Sequence, residues 1–183
     1  MKNFILGFIV ALLFAGGGLY FYVKNGYMSF DADQKPSSTE EKIAMDAVGA
    51  STDRRAPDTR NPLAPTEANI AAGAQLYLDH CAGCHGVPSN PDSQFAHSFN
   101  PEVPPFFKDA PDMAEHQNFY IIKHGIRWTG MPAWDKTLDD TQTWQIVTFL
   151  SNIEKLPPAA QKELAPYGTQ PTDQKTDEPA KSK

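Results

Sequence analysis

The sequence predicts an all-α fold in which a small helical domain follows a single N-terminal transmembrane helix. Three observations support this prediction. An uncharged stretch long enough to cross a bilayer lies near the start of the chain. Further on, apolar residues recur at helical spacing behind residues that commonly cap helices. Valine, isoleucine and threonine never form the alternating run that a half-buried strand needs.

The N-terminal stretch, residues 4–23, contains twenty residues without a charge. As a helix rising about 1.5 Å per residue it spans about 30 Å, the thickness of a bilayer core. Its closing LYFYV places aromatic residues at a membrane interface. A cleaved signal peptide, with Ala15 and Gly17 at the cleavage site, is the alternative. Because the apolar run continues past those residues, residues 1–23 are predicted to be an uncleaved anchor.

Composition divides the rest of the chain into three segments. Residues 24–66 and 157–183 are rich in Pro, Ser, Thr and charge, and they are predicted to be a flexible linker and a disordered tail. A short helix at STEEKIAMDAV, with Ser38 as its cap and Glu41 three residues on, is the alternative for part of the linker. Residues 67–156 are the predicted compact domain.

The predicted domain carries eleven acidic and five basic side chains, a difference equal to the net charge of −6 of the whole chain. No basic stripe is available to displace counterions from phosphates, so we expect no nucleic-acid partner. The acidic balance is ordinary for a soluble surface, and a docking face for a basic partner is the alternative.

Three helices are predicted inside the domain. Thr66 caps the first helix, which leads directly into Cys81. The second begins at a cap on Asp112 and stops at Gly125, and the third begins at Asp139 or Asp140. The following residues supply the faces of the first and third helices: Ile70, Gly73, Leu76, Tyr77 and His80, then Trp144, Val147, Phe149, Leu150 and Ile153.

The stretch HCAGCHG, residues 80–86, contains both cysteines of the chain. Cys81, Cys84 and His85 have the Cys-x-x-Cys-His spacing of covalent haem c attachment. Two thiols with two residues between them on a helical turn reach the two vinyl groups on one edge of a porphyrin. The next residue then brings its imidazole to the iron from one face. Gly86 lets the chain leave without crowding the ring, and His80 is interpreted as the end of the preceding helix.

Other uses of two cysteines are less consistent with the sequence. A thioredoxin-like pair needs a βαβ setting, and no strands are predicted. A zinc site needs four converging ligands, whereas the sequence has no second Cys-x-x-Cys and His80 and Cys81 are adjacent in sequence. A plain disulfide between Cys81 and Cys84 is the remaining alternative.

The stretch TGMPAW supplies a candidate second iron ligand, Met131, forty-six residues after His85. A thioether is soft and favours Fe(II), which raises the reduction potential relative to a second imidazole. Pro132 restricts the conformation of Met131, and Gly130 leaves room near a porphyrin. Ordinary core packing is the alternative for Met131. The other residues able to ligate iron are Met113, His97, His116 and His124.

These motifs resemble the class I c-type cytochromes, in particular the small bacterial single-haem type. The resemblance covers about residues 67–155 and rests on GAQLYLDHCAGCHG, YIIKHGIRWTGMPAW and LDDTQTWQIVTFLSNI, in this order. It implies three to five helices around one haem c. It also implies that the first and last helices cross where Gly73 and Tyr77 meet Phe149 and Leu150.

The resemblance further implies the surroundings of the iron ligands. The carbonyl of Pro104 or Pro105 is expected to accept a hydrogen bond from His85, and Trp134 and Arg127 are expected to bond the haem propionates. Between His85 and Pro104 the sequence lacks the Gly-rich turn of many relatives, so the resemblance does not define that loop.

We therefore expect a membrane-tethered electron carrier of a respiratory type, not an enzyme. Cys81 and Cys84 would attach one haem c, and His85 and Met131 would be the axial ligands of its iron. Redox proteins and the membrane are the expected partners, whereas zinc is not expected. The alternatives are a haem enzyme or gas-binding protein with an open iron site, such as a peroxidase, and a fixed haem subunit of a dehydrogenase or oxidase.

The charges flanking the apolar stretch indicate its orientation. Lys2 lies before the stretch, and Lys24 and then acidic residues lie after it. This pattern favours an N-terminus in the cytoplasm. We therefore expect a bacterial inner-membrane protein whose haem domain faces the periplasm.

Overall fold

A computed structural model describes residues 1–167. Two compact units divide the chain, one of residues 1–34 and one from residue 35 onward. Across residues 1–167 the regular structure is entirely helical, as predicted. The helices are α1 (Lys2–Lys24), α2 (Ser38–Arg55), α3 (Glu67–His80), α4 (Ala82–His85), α5 (Glu115–His124), α6 (Asp140–Leu150) and α7 (Pro158–Leu164).

The first unit contains α1, the predicted membrane segment. This helix has 23 residues, none of them buried, and its most apolar window of 18 residues has a mean hydropathy of 2.2. Tyr27 folds back to stack on Tyr22, with ring centroids 5.8 Å apart, so aromatic rings cluster at the C-terminal end of α1. By length and composition α1 is able to cross a membrane, and an N-terminal signal sequence would share these features.

The core of the second unit lies where α3 crosses α6 and α7. The crossing is close because Gly73 has no side chain. A Cβ at this position would lie 2.0 Å from the carbonyl oxygen of Gln145 and 2.8 Å from the Cβ of Phe149. One turn later Tyr77 meets Phe149, with ring centroids 5.1 Å apart. Both aromatic side chains are fully buried.

Two helices lie in the segments predicted to be linker and tail, and the first of them begins at STEEKIAMDAV, where a short helix was the alternative. Helix α2 lies in the predicted linker and is capped by Ser37 rather than Ser38, since the Ser37 hydroxyl accepts a bond from the Glu40 N–H at 3.2 Å. It packs against α5, where Thr52 is buried and Gln117 donates to Asp53 at 2.5 Å. The predicted linker 24–66 is therefore not flexible coil throughout.

Helix α7 lies in the predicted disordered tail. Its Ala160 and Leu164 are buried in the core, and the Glu67 side chain accepts a bond from the Ala159 N–H at 3.0 Å. A few small apolar residues suffice here because α3 already presents a surface to cover. The remainder of the predicted tail, residues 168–183, lies outside the described residues.

Helix α5 begins later than its predicted cap. Asp112 does not cap the helix, which starts at Glu115 after Ala114. The backbone N–H of Ala114 donates instead to the side-chain oxygen of Gln117 at 2.9 Å, so the glutamine supplies the capping bond. The helix ends at Gly125 as predicted, with a positive φ of 65°.

Asp139 caps α6 with a reciprocal pair of hydrogen bonds. Its carboxylate accepts from the Gln142 N–H at 2.8 Å, and the Gln142 side chain accepts from the Asp139 N–H at 3.0 Å. We expect Asp139→Ala to lower the free energy of unfolding by about 1 kcal/mol, because an N–H at the helix start loses its acceptor. Denaturant unfolding followed by tryptophan fluorescence measures this. Asp139→Asn is the control, and an equal loss in that variant would contradict a capping origin.

Candidate haem site

Helices α3 and α4 join at Cys81, which places the two thiols one helical turn apart. The N–H of Cys81 still bonds to the carbonyl of Tyr77 at 2.8 Å. The carbonyl of Cys81 then accepts from the N–H groups of Cys84 at 3.1 Å and His85 at 2.9 Å. Residues three apart on a helical turn share a face, so Cys81 and Cys84 point to the same side. Both are free thiols.

The surroundings of Cys81 disfavour a thiolate. Burial, and secondarily the neighbouring Cys84, raises the pKa of Cys81 to about 12. A redox-active Cys-x-x-Cys pair depends on a lowered pKa, because the thiolate is the attacking group. Cys81 therefore has the opposite character, that of a partly buried thiol packed against an apolar core.

The carbonyl of Pro104 orients the imidazole of His85. The His85 Nδ1 lies 2.9 Å from the Pro104 oxygen, which resolves the choice between Pro104 and Pro105. Because a carbonyl only accepts, the proton of this bond lies on Nδ1, and Nε2 keeps its lone pair. Burial lowers the pKa of His85, and the Pro104 bond opposes this shift. The neutral ring therefore offers Nε2 as a ligand.

Phe106 also holds the His85 ring. The two rings stack with centroids 4.1 Å apart and planes 6° from parallel. The Phe106 N–H donates to the His85 carbonyl at 3.3 Å, so backbone and ring contacts act together. Sequence reasoning missed this residue, although the run PPFF beside the expected proline carbonyl was a signal for an aromatic neighbour.

The chain leaves His85 through a turn at Gly86 that needs a glycine. The φ of Gly86 is 85°, and a Cβ there would lie 2.8 Å from the carbonyl oxygen of Pro91. The buried Tyr77 hydroxyl donates to the Gly86 carbonyl at 2.8 Å and so ties this turn to α3. Burial, with the two thiols nearby, raises the pKa of Tyr77, so its hydroxyl remains a donor.

Met131 lies in a closed loop that follows α5. Its carbonyl accepts from the Ile126 N–H at 3.1 Å, and its own N–H donates to the Thr129 hydroxyl at 3.1 Å. Gly125 permits the closure, because a Cβ there would lie 2.7 Å from the Met131 carbonyl oxygen. The Met131 side chain is half-buried against the core, the same core that Cys81 contacts.

Gly130 allows a close aromatic contact beside Met131. A Cβ on Gly130 would lie 2.4 Å from the ring of Phe99. Phe99 belongs to the loop between His85 and Pro104 that the resemblance left undefined. This loop therefore reaches the methionine loop and covers its glycine.

The other histidines considered as ligands have different surroundings. His97 lies between two carboxylates, with Nε2 3.0 Å from Asp92 and Nδ1 3.4 Å from Glu102. His124 contacts the ring of Tyr120 at the exposed end of α5, and His80 contacts the ring of Trp134. His116 lies on α5 beside a polar surface cleft.

The remaining candidates are Met113, Trp134 and Arg127. Met113 precedes α5, where its carbonyl accepts from the Asn118 side chain at 3.0 Å. Trp134 is half-buried, and its backbone N–H donates to the Ile122 carbonyl at 3.2 Å. Arg127 is exposed. Bonds from Trp134 and Arg127 to propionates remain predictions.

These donors fit a haem. Within residues 1–167, no three His, Cys, Asp or Glu side chains are grouped to hold a bare metal ion. A haem iron needs fewer ligands from the protein, because the porphyrin supplies four nitrogens and the protein supplies only the axial ligands. Two free thiols on one helical turn, an imidazole with its Nε2 lone pair and a half-buried thioether suit that demand.

Residues 68–150 form a class I c-type cytochrome domain, with which the helical fold agrees. These residues match the family model described as cytochrome c oxidase, cbb3-type, subunit III. No curated protein matches the chain. The domain makes this a haem-binding electron-transfer protein, either an electron carrier or an oxidase subunit, with one N-terminal helix suited to a membrane.

Proposed function

We propose that the chain is a membrane-tethered electron carrier with one covalently bound haem c. Cys81 and Cys84 attach the haem, and His85 and Met131 are the axial ligands of its iron. The haem domain faces the periplasm of a bacterium, and the carrier passes single electrons between redox proteins of a respiratory chain.

The bond between His85 and Pro104 carries this proposal. It fixes the tautomer and the plane of the imidazole before any ligand is present, and such an outer bond also raises the basicity of a ligating histidine. Phe106, stacked on one face of the imidazole, limits rotation of the ring. A histidine held in this way, one residue after a pair of partly buried thiols, is suited to iron ligation.

The closed loop at Met131 supports electron transfer over bond chemistry. A bound haem would accept and release single electrons as its iron changes between Fe(III) and Fe(II). The N–H and the carbonyl of Met131 are both hydrogen-bonded within the loop, so this residue would be held in position to ligate the iron of a bound haem.

Helix α2 limits the freedom of the tether. Because α2 is bonded to α5 through Asp53 and Gln117, only residues 25–37 lie between the membrane helix and the haem-binding unit's first helix. The connection between α1 and α2 is thus shorter than the predicted linker of residues 24–66. Tethering of this kind raises the effective concentration of a carrier near membrane-bound partners.

Removal of both thiols tests the attachment. We expect Cys81→Ala combined with Cys84→Ala to yield protein from which denaturation and acidic organic solvent extract all haem, since no thioether remains. Each single variant retains haem through one thioether, with a shifted haemochrome absorption from the unreacted vinyl group. The measurement is haem staining on denaturing gels with a haemochrome spectrum. His80→Ala is the matched control and keeps both thioethers; haem that stays covalent in the double variant would refute the proposal.

The family match favours a second candidate, a fixed haem subunit of a terminal oxidase, because the matched family is described as an oxidase subunit. Mild detergent solubilisation followed by size separation distinguishes the two. A carrier separates as a single chain that cycles between oxidised and reduced forms. A fixed subunit co-migrates with other haem proteins in constant ratio and retains oxygen-reducing activity.

A further inference from the structure

Trp128 combines two unfavourable features at one position. Its side chain is 91 % exposed, the highest value for a large apolar residue in the described part of the second unit. Its φ is +63°, and it is the one residue other than glycine with a positive φ within residues 1–167. Bulky side chains rarely adopt this backbone conformation, and they persist in it only where surrounding contacts impose it.

The methionine loop imposes this conformation. The Ile126 carbonyl accepts both the N–H of Thr129, at 3.3 Å, and the Thr129 hydroxyl, at 2.8 Å. The Ile126 N–H in turn bonds to the Met131 carbonyl at 3.1 Å. Trp128 lies at the tip of this closed loop, so the bonds that hold the proposed iron ligand also hold the indole outward.

Neither feature of Trp128 stabilises the folded chain. An exposed indole leaves a large apolar surface in water, whereas Trp144 is buried and Trp134 is half-buried in the core. Tryptophan is, however, among the residues that contribute most to protein interfaces when a partner buries them. The arrangement suits contact with another molecule.

The charges near Trp128 indicate the chemistry of that molecule. Three of the five basic residues in 67–156 lie within residues 123–136, together with one acidic residue, Asp135. Lys123 is paired with Asp140, whereas Arg127 and Lys136 form no ion pair among residues 1–167. The stretch 123–136 therefore carries a net positive charge in a domain that is acidic elsewhere, and its Arg127 is the direct neighbour of Trp128.

We propose that Trp128 is the anchor of a docking surface for a protein redox partner, with Arg127 beside it. The partner presents an apolar pocket bordered by carboxylates. This inference rests on the proposed electron-carrier function. The acidic remainder of the domain takes no part in docking at this loop.

The test compares two oxidants of the reduced full-length protein by stopped-flow absorption. One is ferricyanide, a small anion that needs no apolar pocket. The other is a detergent-solubilised membrane preparation from the organism that encodes the chain. The variants are Trp128→Ala, Trp128→Phe and Arg127→Gln. Ile43→Ala is the matched control, because Ile43 is an exposed apolar residue on a different element, α2.

We expect Trp128→Ala to slow oxidation by the membranes at least about tenfold, the size of an interface anchor's effect, and Trp128→Phe to restore part of the rate. Arg127→Gln weakens the dependence of that rate on salt. The rate with ferricyanide, the visible spectrum, the reduction potential and the unfolding midpoint stay at the wild-type values for Trp128→Ala. Ile43→Ala resembles the wild type throughout.

Several results would overturn the docking proposal. An unchanged rate with membranes would do so, as would a Trp128→Ala variant whose ferricyanide rate, spectrum and potential change together, since Trp128 would then shield the haem. If Trp128→Ala slows oxidation by intact membrane vesicles but not by the detergent-solubilised preparation, the contact is with lipid. A change in self-association would make a second copy of the chain the contact. A wild-type protein that reacts with ferricyanide but not with membranes would overturn docking and leave the carrier function standing.

Discussion

Replacing Met131 with alanine is expected to lower the reduction potential by on the order of 0.1 V or more, because a thioether favours Fe(II) and its replacement by water or a nitrogen ligand does not. The iron–sulfur absorption of the oxidised form disappears in the same variant. The loop itself is expected to persist, since its hydrogen bonds involve the backbone of Met131 and the Thr129 hydroxyl rather than the thioether. A redox titration followed by the visible spectrum measures both changes.

Met113→Ala is the matched control for this experiment. Met113 is the other methionine of the domain, and it precedes α5 outside the closed loop. Its replacement leaves the potential and the iron–sulfur absorption at their wild-type values. If the absorption survives in Met131→Ala and is lost in Met113→Ala, the second ligand has been assigned to the wrong methionine.

The same two variants separate an electron carrier from an open-site haem protein. With both axial positions filled as proposed, the wild-type protein is expected to bind carbon monoxide slowly or not at all, whereas Met131→Ala is expected to bind it rapidly. Rapid binding by the wild type without loss of fold would contradict the closed site and favour the enzyme or gas-binding alternative.

Replacing Gly73 with alanine is expected to destabilise the haem-binding unit by about 3 kcal/mol. The added Cβ would lie 2.0 Å from a backbone carbonyl oxygen of α6, and a backbone atom cannot move aside without moving the helix. The crossing that would separate also aligns Tyr77 with Phe149 and leads into Cys81. The damage therefore reaches the proposed attachment site.

Denaturant unfolding of the full-length protein in detergent measures this loss through tryptophan fluorescence. All three tryptophans lie in the second unit, so the signal is independent of the membrane helix. Gly49→Ala is the matched control, because a Cβ there meets nothing within 4 Å and the substitution improves helix propensity in α2. A Gly73→Ala variant as stable as the wild type would show that the helices do not cross this closely.

Local patterns in the sequence were sufficient for the elements that their own residues define. The caps at Thr66 and Asp139 and the stop at Gly125 follow from hydrogen bonds or backbone conformations within a few residues. The spacing of Cys81, Cys84 and His85 is likewise local, since one helical turn determines which side chains share a face. Each of these could be predicted from neighbours along the chain.

Contacts between segments distant in sequence could not be predicted in the same way. Helices α2 and α7 are stabilised by burial against α5 and α3, so their compositions resemble linker and tail when read alone. The stacking of Phe106 on His85 and the contact of Phe99 with Gly130 also depend on how loops meet. Composition cannot reveal a surface that only the folded chain provides.

The sequence by itself determined the class of the protein, because each feature that defines the class lies within a short contiguous stretch. These features are an apolar stretch of bilayer length, Cys-x-x-Cys-His and a later Gly-Met-Pro. Only the tertiary structure decided which proline carbonyl holds His85, how the loop of Met131 closes and that Trp128 stands outward from it. These depend on distances between segments that are separate along the chain and that packing brings together.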